Sequence, residues 1–245
     1  MKRQIKQIIR KFGYDIVQFR PDDFGRDPLE DMARLLHHDH PVVFDVGANV
    51  GQTIQRFRSQ FPRCAIHSFE PSPTTFETLR QQASEIPDVR LWNCALGSTP
   101  GQMPFLENSS PLMSSFLPLG ESGWGEVTKE TLVNVKTIDE FCKEENIERI
   151  DILKSDTQGY DLEVFKGAEE TIRANKIGLI YVEITFTEMY KNLPSLGQIY
   201  DFMRSHHFLL VSFYQIFYRN QLAGWKDALF VNESYRRASQ PSCAN

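Results

Sequence analysis

From Pro41 onward, short apolar runs alternate with amphipathic stretches. Residues 42–46 read as a buried strand, 47–51 as a glycine loop, and 52–61 as a helix stopped by Pro62. Residues 65–69 then read as a second strand, 74–84 as a helix, and 89–94 as a third strand. The alternation resumes with a strand edge at 133–135, a helix at 138–145, a strand at 150–154, a helix at 160–174, a strand at 179–184 and a helix at 196–206. Residues 208–214 and 228–231 fit a closing antiparallel pair. Strands separated by helices of about 10–15 residues indicate βαβ units and a parallel sheet. The pattern predicts a doubly wound, Rossmann-like α/β domain over 41–232, preceded by a helical extension over 1–40 and followed by a disordered tail over 233–245.

Two regions depart from that rhythm. Residues 97–125 hold Gly97, Gly101, Gly120, Gly123 and Gly125 with four prolines and with Ser109, Ser110, Ser114 and Ser115. A hairpin around 103–106 and then a long loop are expected, and long loops in compact domains are commonly lids. In the extension, Ile5, Ile8, Ile9 and Phe12 fall at helical spacing and form one apolar stripe, which Gly13 ends. A short strand at 14–19, a turn at 21–27 and a proline-opened helix at 28–37 follow. The stripe either packs on the body of the protein or lies on an anionic membrane surface; packing is the expected outcome.

Composition narrows the class. The chain has 245 residues, 41% hydrophobic and 24% charged, as in ordinary globular proteins. No apolar run approaches the ~18–20 residues that span a bilayer, and the polar residues among the first eleven leave no secretory signal core. Net charge is −5, so nucleic acid is not the expected partner. Yet Lys2, Arg3, Lys6, Arg10 and Lys11 stand without an acid among the first twelve residues. A basic segment precedes an acidic body. Cys64, Cys94, Cys142 and Cys243 are too dispersed for a disulfide framework or a zinc site, and the cytoplasm is the expected compartment.

The strongest chemical signal is Phe44-Asp45-Val46-Gly47-Ala48-Asn49-Val50-Gly51, between a strand and a helix. Glycines let the backbone turn sharply, and the unpaired N–H groups of the helix start favour an anionic group. Dinucleotides, mononucleotides and S-adenosylmethionine all use such a turn. Glu70, at the end of the next strand, offers a carboxylate to a ribose diol, which serves NAD and S-adenosylmethionine alike. Asn49 stands where a pyrophosphate site places its second glycine, and the Lys-Ser/Thr of a P-loop is missing. The single carboxylate of a methionine tail needs less room, and its ammonium and sulfonium suit Asp45.

With these residues the chain resembles the FkbM-type methyltransferases, a branch of the class I S-adenosylmethionine-dependent enzymes with a seven-stranded sheet. The resemblance rests on residues 45–51, on Phe69-Glu70-Pro71-Ser72, on Asn93-Cys94-Ala95-Leu96-Gly97 and on the run 153–168. It covers about 41–190. It implies that Asp45, Gly47, Ala48, Asn49 and Gly51 serve the methionine end, that Glu70, Pro71 and Ser72 serve the ribose, that Asn93 and Ala95 flank the adenine, and that Asp156 lies near the transferable methyl. The chain departs from the family in having Gln158 and Asp161 where glutamates are common. If the first of those glutamates acts as a base or metal ligand, that role is lost here.

The candidates for catalysis are Asp156 and Glu183, both at predicted strand ends, where ligands of such sheets bind. A hydroxyl is a weak nucleophile that needs a base or a metal ion. The two acids could act as base and orienting partner, or share a divalent cation, which is the less favoured reading. The helical N-cap role for Asp156 and a strand-end salt bridge for Glu183 are the structural alternatives. Ser114, Ser115, Gln158 and Tyr160 are candidates for the acceptor, a small molecule or glycan. His37-His38-Asp39-His40 reads as a polar loop rather than a metal cluster, and His206-His207 as a helix end. The expected activity is O-methylation of a hydroxyl, on a sugar of a glycan or glycolipid. A polyketide or other secondary metabolite is the rival acceptor. A nicotinamide-dependent oxidoreductase and a catalytically silent cofactor-binding protein are the rival classes.

Overall fold

The computed structural model describes residues 2–14, 23–36 and 38–239. Of the expectations above, residues 15–19 of the short strand, part of the 21–27 turn, His37, Cys243 and the end of the tail lie outside the described residues.

The strands are β1 (Val42–Val46), β2 (Ala65–Phe69), β3 (Val89–Trp92), β4 (Ala95–Leu96), β5 (Gly101–Asn108), β6 (Val127–Lys136), β7 (Ile150–Ser155), β8 (Ile177–Thr185), β9 (Phe208–Arg219) and β10 (Leu222–Asn232). The helices are α1 (Lys2–Lys11), α2 (Pro28–Leu35), α3 (Gln52–Gln60), α4 (Pro73–Ala83), α5 (Ile138–Glu144), α6 (Asp161–Lys166), α7 (Glu169–Arg173), α8 (Leu196–Ser205) and α9 (Glu233–Ser239). Seven strands form one sheet in the order β3-β2-β1-β7-β8-β10-β9. Five are parallel; β10 runs antiparallel to β8, and β9 antiparallel to β10. The order reverses between β1 and β7, and a crevice opens at such a switch point.

Both faces of the sheet are apolar and both are covered, as parallel strands require. On one face, Val43, Ile66, Ile152 and Leu179 pack under Met32 of α2, Ile54 and Phe57 of α3 and Leu79 of α4. On the other, Phe44, Phe69, Leu153 and Ile180 pack under Phe141 of α5, Val164 and Phe165 of α6, Ile172 of α7 and Met203 of α8. Asp45 and Lys154 are charged positions in otherwise apolar strands, and the parallel register sets them side by side.

Several expectations need correction. The hairpin around 103–106 closes locally only through a bridge from Leu106 to Ser115: Met103 pairs with Val133, and β5 joins β6 and β4 in a separate three-stranded sheet. The helix expected over 160–174 is two short helices, because Gly167 presses against the backbone of Gly97, where a Cβ would stand 2.0 Å from the carbonyl oxygen. The tail expected to be disordered begins as α9, with the Ser234 N–H donating to Asn232 Oδ1 and Tyr235 packed on the core. Three positions of the α1 stripe are not covered: Ile5, Ile8 and Phe12 are 46%, 56% and 75% exposed, while Ile9 is half-buried.

Candidate active site

The loop after β1 turns on two left-handed glycines, Gly47 (φ 77°) and Gly51 (φ 93°), with Asn49 (φ 49°) between them. A Cβ on Gly47 would lie 2.0 Å from the carbonyl oxygen of Asp156, so the loops after β1 and β7 meet backbone to backbone. Gly51 precedes α3 with no side-chain cap. The first N–H groups of α3 therefore lack an intrahelical partner, and Gln52 and Thr53 of that turn line a cavity of about 230 Å³.

Glu70 ends β2 inside the same cavity. Its carboxylate accepts from the Asn49 N–H (3.0 Å) on one oxygen and from the Ser72 N–H (2.9 Å) on the other. Burial pushes its carboxyl up to about 7, against the pull of those two donors. Each oxygen keeps a lone pair for a further donor. Asn93 Nδ2 donates to the carbonyls of Glu70 (2.9 Å) and Pro71 (3.2 Å) and so holds the turn that carries Glu70.

Acids gather beyond β7, β8 and β10. Glu183 faces Asp227 as its register partner across β8 and β10. Burial, then the charges of Asp156 and Asp227, raise the Glu183 carboxyl well above its ordinary value. No hydrogen bond or ion pair engages Glu183 among the described residues. The Tyr181 hydroxyl donates to Asp227 Oδ2 at 2.5 Å, and burial raises the Asp227 carboxyl too. Asp156 accepts from Gln158 Nε2 at 2.8 Å. It is not a helix cap. Asp161 instead secures that turn, accepting from Ser155 Oγ (2.6 Å) and the Thr157 N–H (3.1 Å). Lys154 is the buried cation among these acids. Its Nζ stands 2.9 Å from Asp45 Oδ1 and 3.8 Å from Asp156 Oδ2 and donates to the Gly47 carbonyl at 3.2 Å.

Of the residues singled out from the sequence, the cavity brings together Gly47, Asn49, Glu70, Pro71, Ala95, Ser114, Asp156, Gln158, Tyr160 and Glu183. Six other residues singled out from the sequence do not line it. Asp45 pairs with Lys154. Ala48 is buried with its N–H on the Phe69 carbonyl. Gly51 gives α3 room against Leu79. Ser72 caps α4 and donates to Glu107. Asn93 braces the Glu70 turn, and Ser115 Oγ donates to the Gln158 carbonyl. The sequence reading missed Lys154, Asp227 and Arg56, and also Pro28 and Leu29, which bring the amino-terminal segment into the wall; Tyr181 lines it as well. For Lys154 a signal existed: a lysine in a buried strand needs a buried acid, and Asp45 lies in another such strand.

His38 is bound to Asp151 Oδ1 (3.0 Å) at the foot of β7, and His206 to the Phe202 carbonyl (2.8 Å) at the end of α8. Among the described residues no group of three or more His, Cys, Asp or Glu side chains is arranged to hold a metal ion. No helix of the described residues is long and apolar enough to cross a membrane. Cys64, Cys94 and Cys142 are free and buried.

S-adenosylmethionine fits this arrangement on three counts. The uncapped start of α3 suits a carboxylate, the spare lone pairs of Glu70 suit a ribose diol, and the acids around Asp156 suit positive charge.

Comparison with known proteins adds to the geometry. The model of the family described as the methyltransferase FkbM domain matches residues 45–210. The chain is 27% identical over 212 residues to the 2-O-methyltransferase NoeI of Sinorhizobium fredii, covering 82% of this chain and 85% of that one. It is 26% identical over 161 residues to the hexuronic acid methyltransferase AglP of Haloferax volcanii, covering 63% and 62%. The solved methyltransferase FkbM of Methylobacillus flagellatus KT shares the fold at a TM-score of 0.54 and 16% identity, covering 80% of this chain and 45% of that one.

Proposed function

The chain belongs to the FkbM methyltransferase family and is an S-adenosylmethionine-dependent methyltransferase, and on that premise we propose that it methylates a hydroxyl oxygen of a sugar in a glycan or glycolipid. The observation that carries this reading is the Glu183 carboxylate, which lines the cavity half-buried, stands opposite Asp227 in the sheet, has no hydrogen-bond or ion-pair partner among the described residues, and is raised by desolvation and then by Asp156 and Asp227. A hydroxyl needs a base whose pKa approaches the working pH. Desolvation and the neighbouring acids move the Glu183 carboxyl upward from its ordinary value, in the direction such a base requires.

Bound S-adenosylmethionine supplies an electrophilic methyl group on a sulfonium. Gly47, Asn49 and the start of α3 hold its amino-acid end, Glu70 its ribose, and Pro71, Ala95 and Leu96 its base. Glu183 takes the proton from the acceptor hydroxyl. Asp156 orients that hydroxyl and faces the positive charge. Tyr181 and Asp227 bind further acceptor hydroxyls, since a polyol offers donors that match carboxylate oxygens. Phe116 and Tyr160, with ring centroids 4.7 Å apart, offer an apolar wall to a pyranose face. One relative's name, a hexuronic acid methyltransferase, also favours a sugar.

The test is transfer of labelled methyl from S-adenosylmethionine into fractionated host-cell extract, with mass spectrometry of the product. A methyl ether on a saccharide is the expected product. A methylated polyketide or amine overturns the acceptor assignment.

We further assign α1, with its exposed Ile5, Ile8 and Phe12 and its cations, to an anionic membrane surface where a lipid-linked acceptor would lie. Flotation with anionic vesicles should carry the protein up, and neutral vesicles should not. Equal flotation of an Ile8→Asp/Phe12→Asp variant removes the assignment.

A further inference from the structure

The turn after β7 is braced from three directions. Gln158 adopts a left-handed backbone (φ 56°) and Gly159 follows at φ 92°. Ser115 Oγ donates to the Gln158 carbonyl at 2.8 Å. The Tyr190 hydroxyl donates to Gln158 Oε1 at 2.8 Å, and Gln158 Nε2 donates to Asp156 Oδ1 at 2.8 Å. Tyr190 is buried and its backbone bridges to Leu119. A side chain on Gly159 would strike Leu193. A non-glycine residue keeps a left-handed backbone where its surroundings over-determine it, and such positions cluster at working sites.

The hydrogen bonds assign the amide faces. Its oxygen accepts from a hydroxyl, so its nitrogen points at the acid. Asp156 otherwise faces one cation, Lys154, which also serves Asp45. The charges of Glu183, Asp227 and Asp161 reach it from β8, β10 and α6, and Tyr190 stands behind Gln158. A carboxylate at position 158 would add another negative group beside a lysine already shared.

We propose that Gln158 is a positioning residue rather than an acceptor contact: backed by Tyr190, its amide aims the Asp156 carboxylate into the cavity and puts a neutral donor where a second acid would compete for the proton. The proposal deepens the reading above, since it rests on Asp156 facing the reacting methyl. Through Tyr190 and Ser115, the segments around Leu119 and Leu193 set the aim of an acid they do not touch.

Gln158→Glu, Gln158→Leu and Tyr190→Phe test this in the full chain. Sinefungin, which carries an amine in place of the methylated sulfur, and neutral S-adenosylhomocysteine are titrated by calorimetry across pH. Two carboxylates in contact share a proton and part with it late. Gln158→Glu should therefore show a pH step in the sinefungin-to-homocysteine affinity ratio that the wild type lacks, and the acid limb of its rate profile should move up by about one pH unit or more. Gln158→Leu should lower kcat about tenfold or more through misaim, with S-adenosylhomocysteine affinity retained. Tyr190→Phe added to Gln158→Leu should cost nothing further, because the two act in series. Wild-type pH behaviour of Gln158→Glu, or additive losses in the double variant, overturns the proposal. The affinity ratio needs no acceptor. A missing pH step with methyl transfer intact sinks the positioning role alone, whereas an extract that accepts no methyl sinks the acceptor reading.

Discussion

The two walls of the cavity are built differently. The wall proposed for the cofactor comes from consecutive turns: Gly47 and Asn49, Glu70 with Pro71, and Ala95 with Leu96 follow β1, β2 and β3 in order, and backbone groups are assigned most of its holding beside the Glu70 carboxylate. The wall proposed for the acceptor is assembled from side chains of distant segments, with Pro28 and Leu29 before the sheet, Ser114 and Phe116 in a long connection, Glu183 on β8 and Asp227 on β10. Backbone recognition tolerates side-chain change and suits a ligand common to many enzymes. Side-chain recognition changes with each substitution and suits a ligand particular to one.

The widest separation of the two walls is expected from Glu183→Gln. Turnover should fall about 100- to 10,000-fold, the usual worth of a general base, with S-adenosylhomocysteine affinity by calorimetry unchanged. Wild-type turnover would falsify the base assignment. Next, Lys154→Met leaves Asp45 buried and unpaired, and removing one partner of a buried pair costs about 3–5 kcal/mol; urea denaturation should register that loss. The third effect is a pH dependence of the ligand-free protein. Glu70 titrates near 7 when folded against an ordinary 4.5, so the folded state binds the extra proton. Stability from this group is complete below about pH 4.5 and is lost as pH rises through about 7, by about 3 kcal/mol in all. Thermal melts of Glu70→Gln should lack that decline, and an identical decline in the variant would exclude Glu70 as its source. Smallest is Glu70→Ala, which should weaken sinefungin binding by about 2 kcal/mol through two charge-assisted bonds. Undiminished affinity would leave the ribose without its assigned partner.

The same division explains what could be read from the sequence. β1 and β2 were legible to the residue because a strand, a glycine turn and a helix start are neighbours in the chain. The Met103–Val133 pairing was not, because no local pattern reports a partner thirty residues away. Gly167 looked like an interior helix residue until the Gly97 backbone lay against it. Asp227 carried no signal alone; its meaning comes from standing opposite Glu183 in a register that only the sheet supplies. Asp45 was identified as functional for its charge, yet its charge serves Lys154. Gln158 stood out as a departure from a familiar motif, and its bond to Asp156 needed coordinates.

The stretch matched by the family ends at residue 210 and begins at residue 45, while Pro28, Leu29 and Asp227 fall outside it. The wall of the cavity is thus drawn partly from the matched stretch and partly from the flanks on either side of it. A protein trimmed to the shared stretch would lose the start of β1 and all of β10, the strand that joins β9 to the sheet, so the flanks also carry part of the fold that holds the cavity.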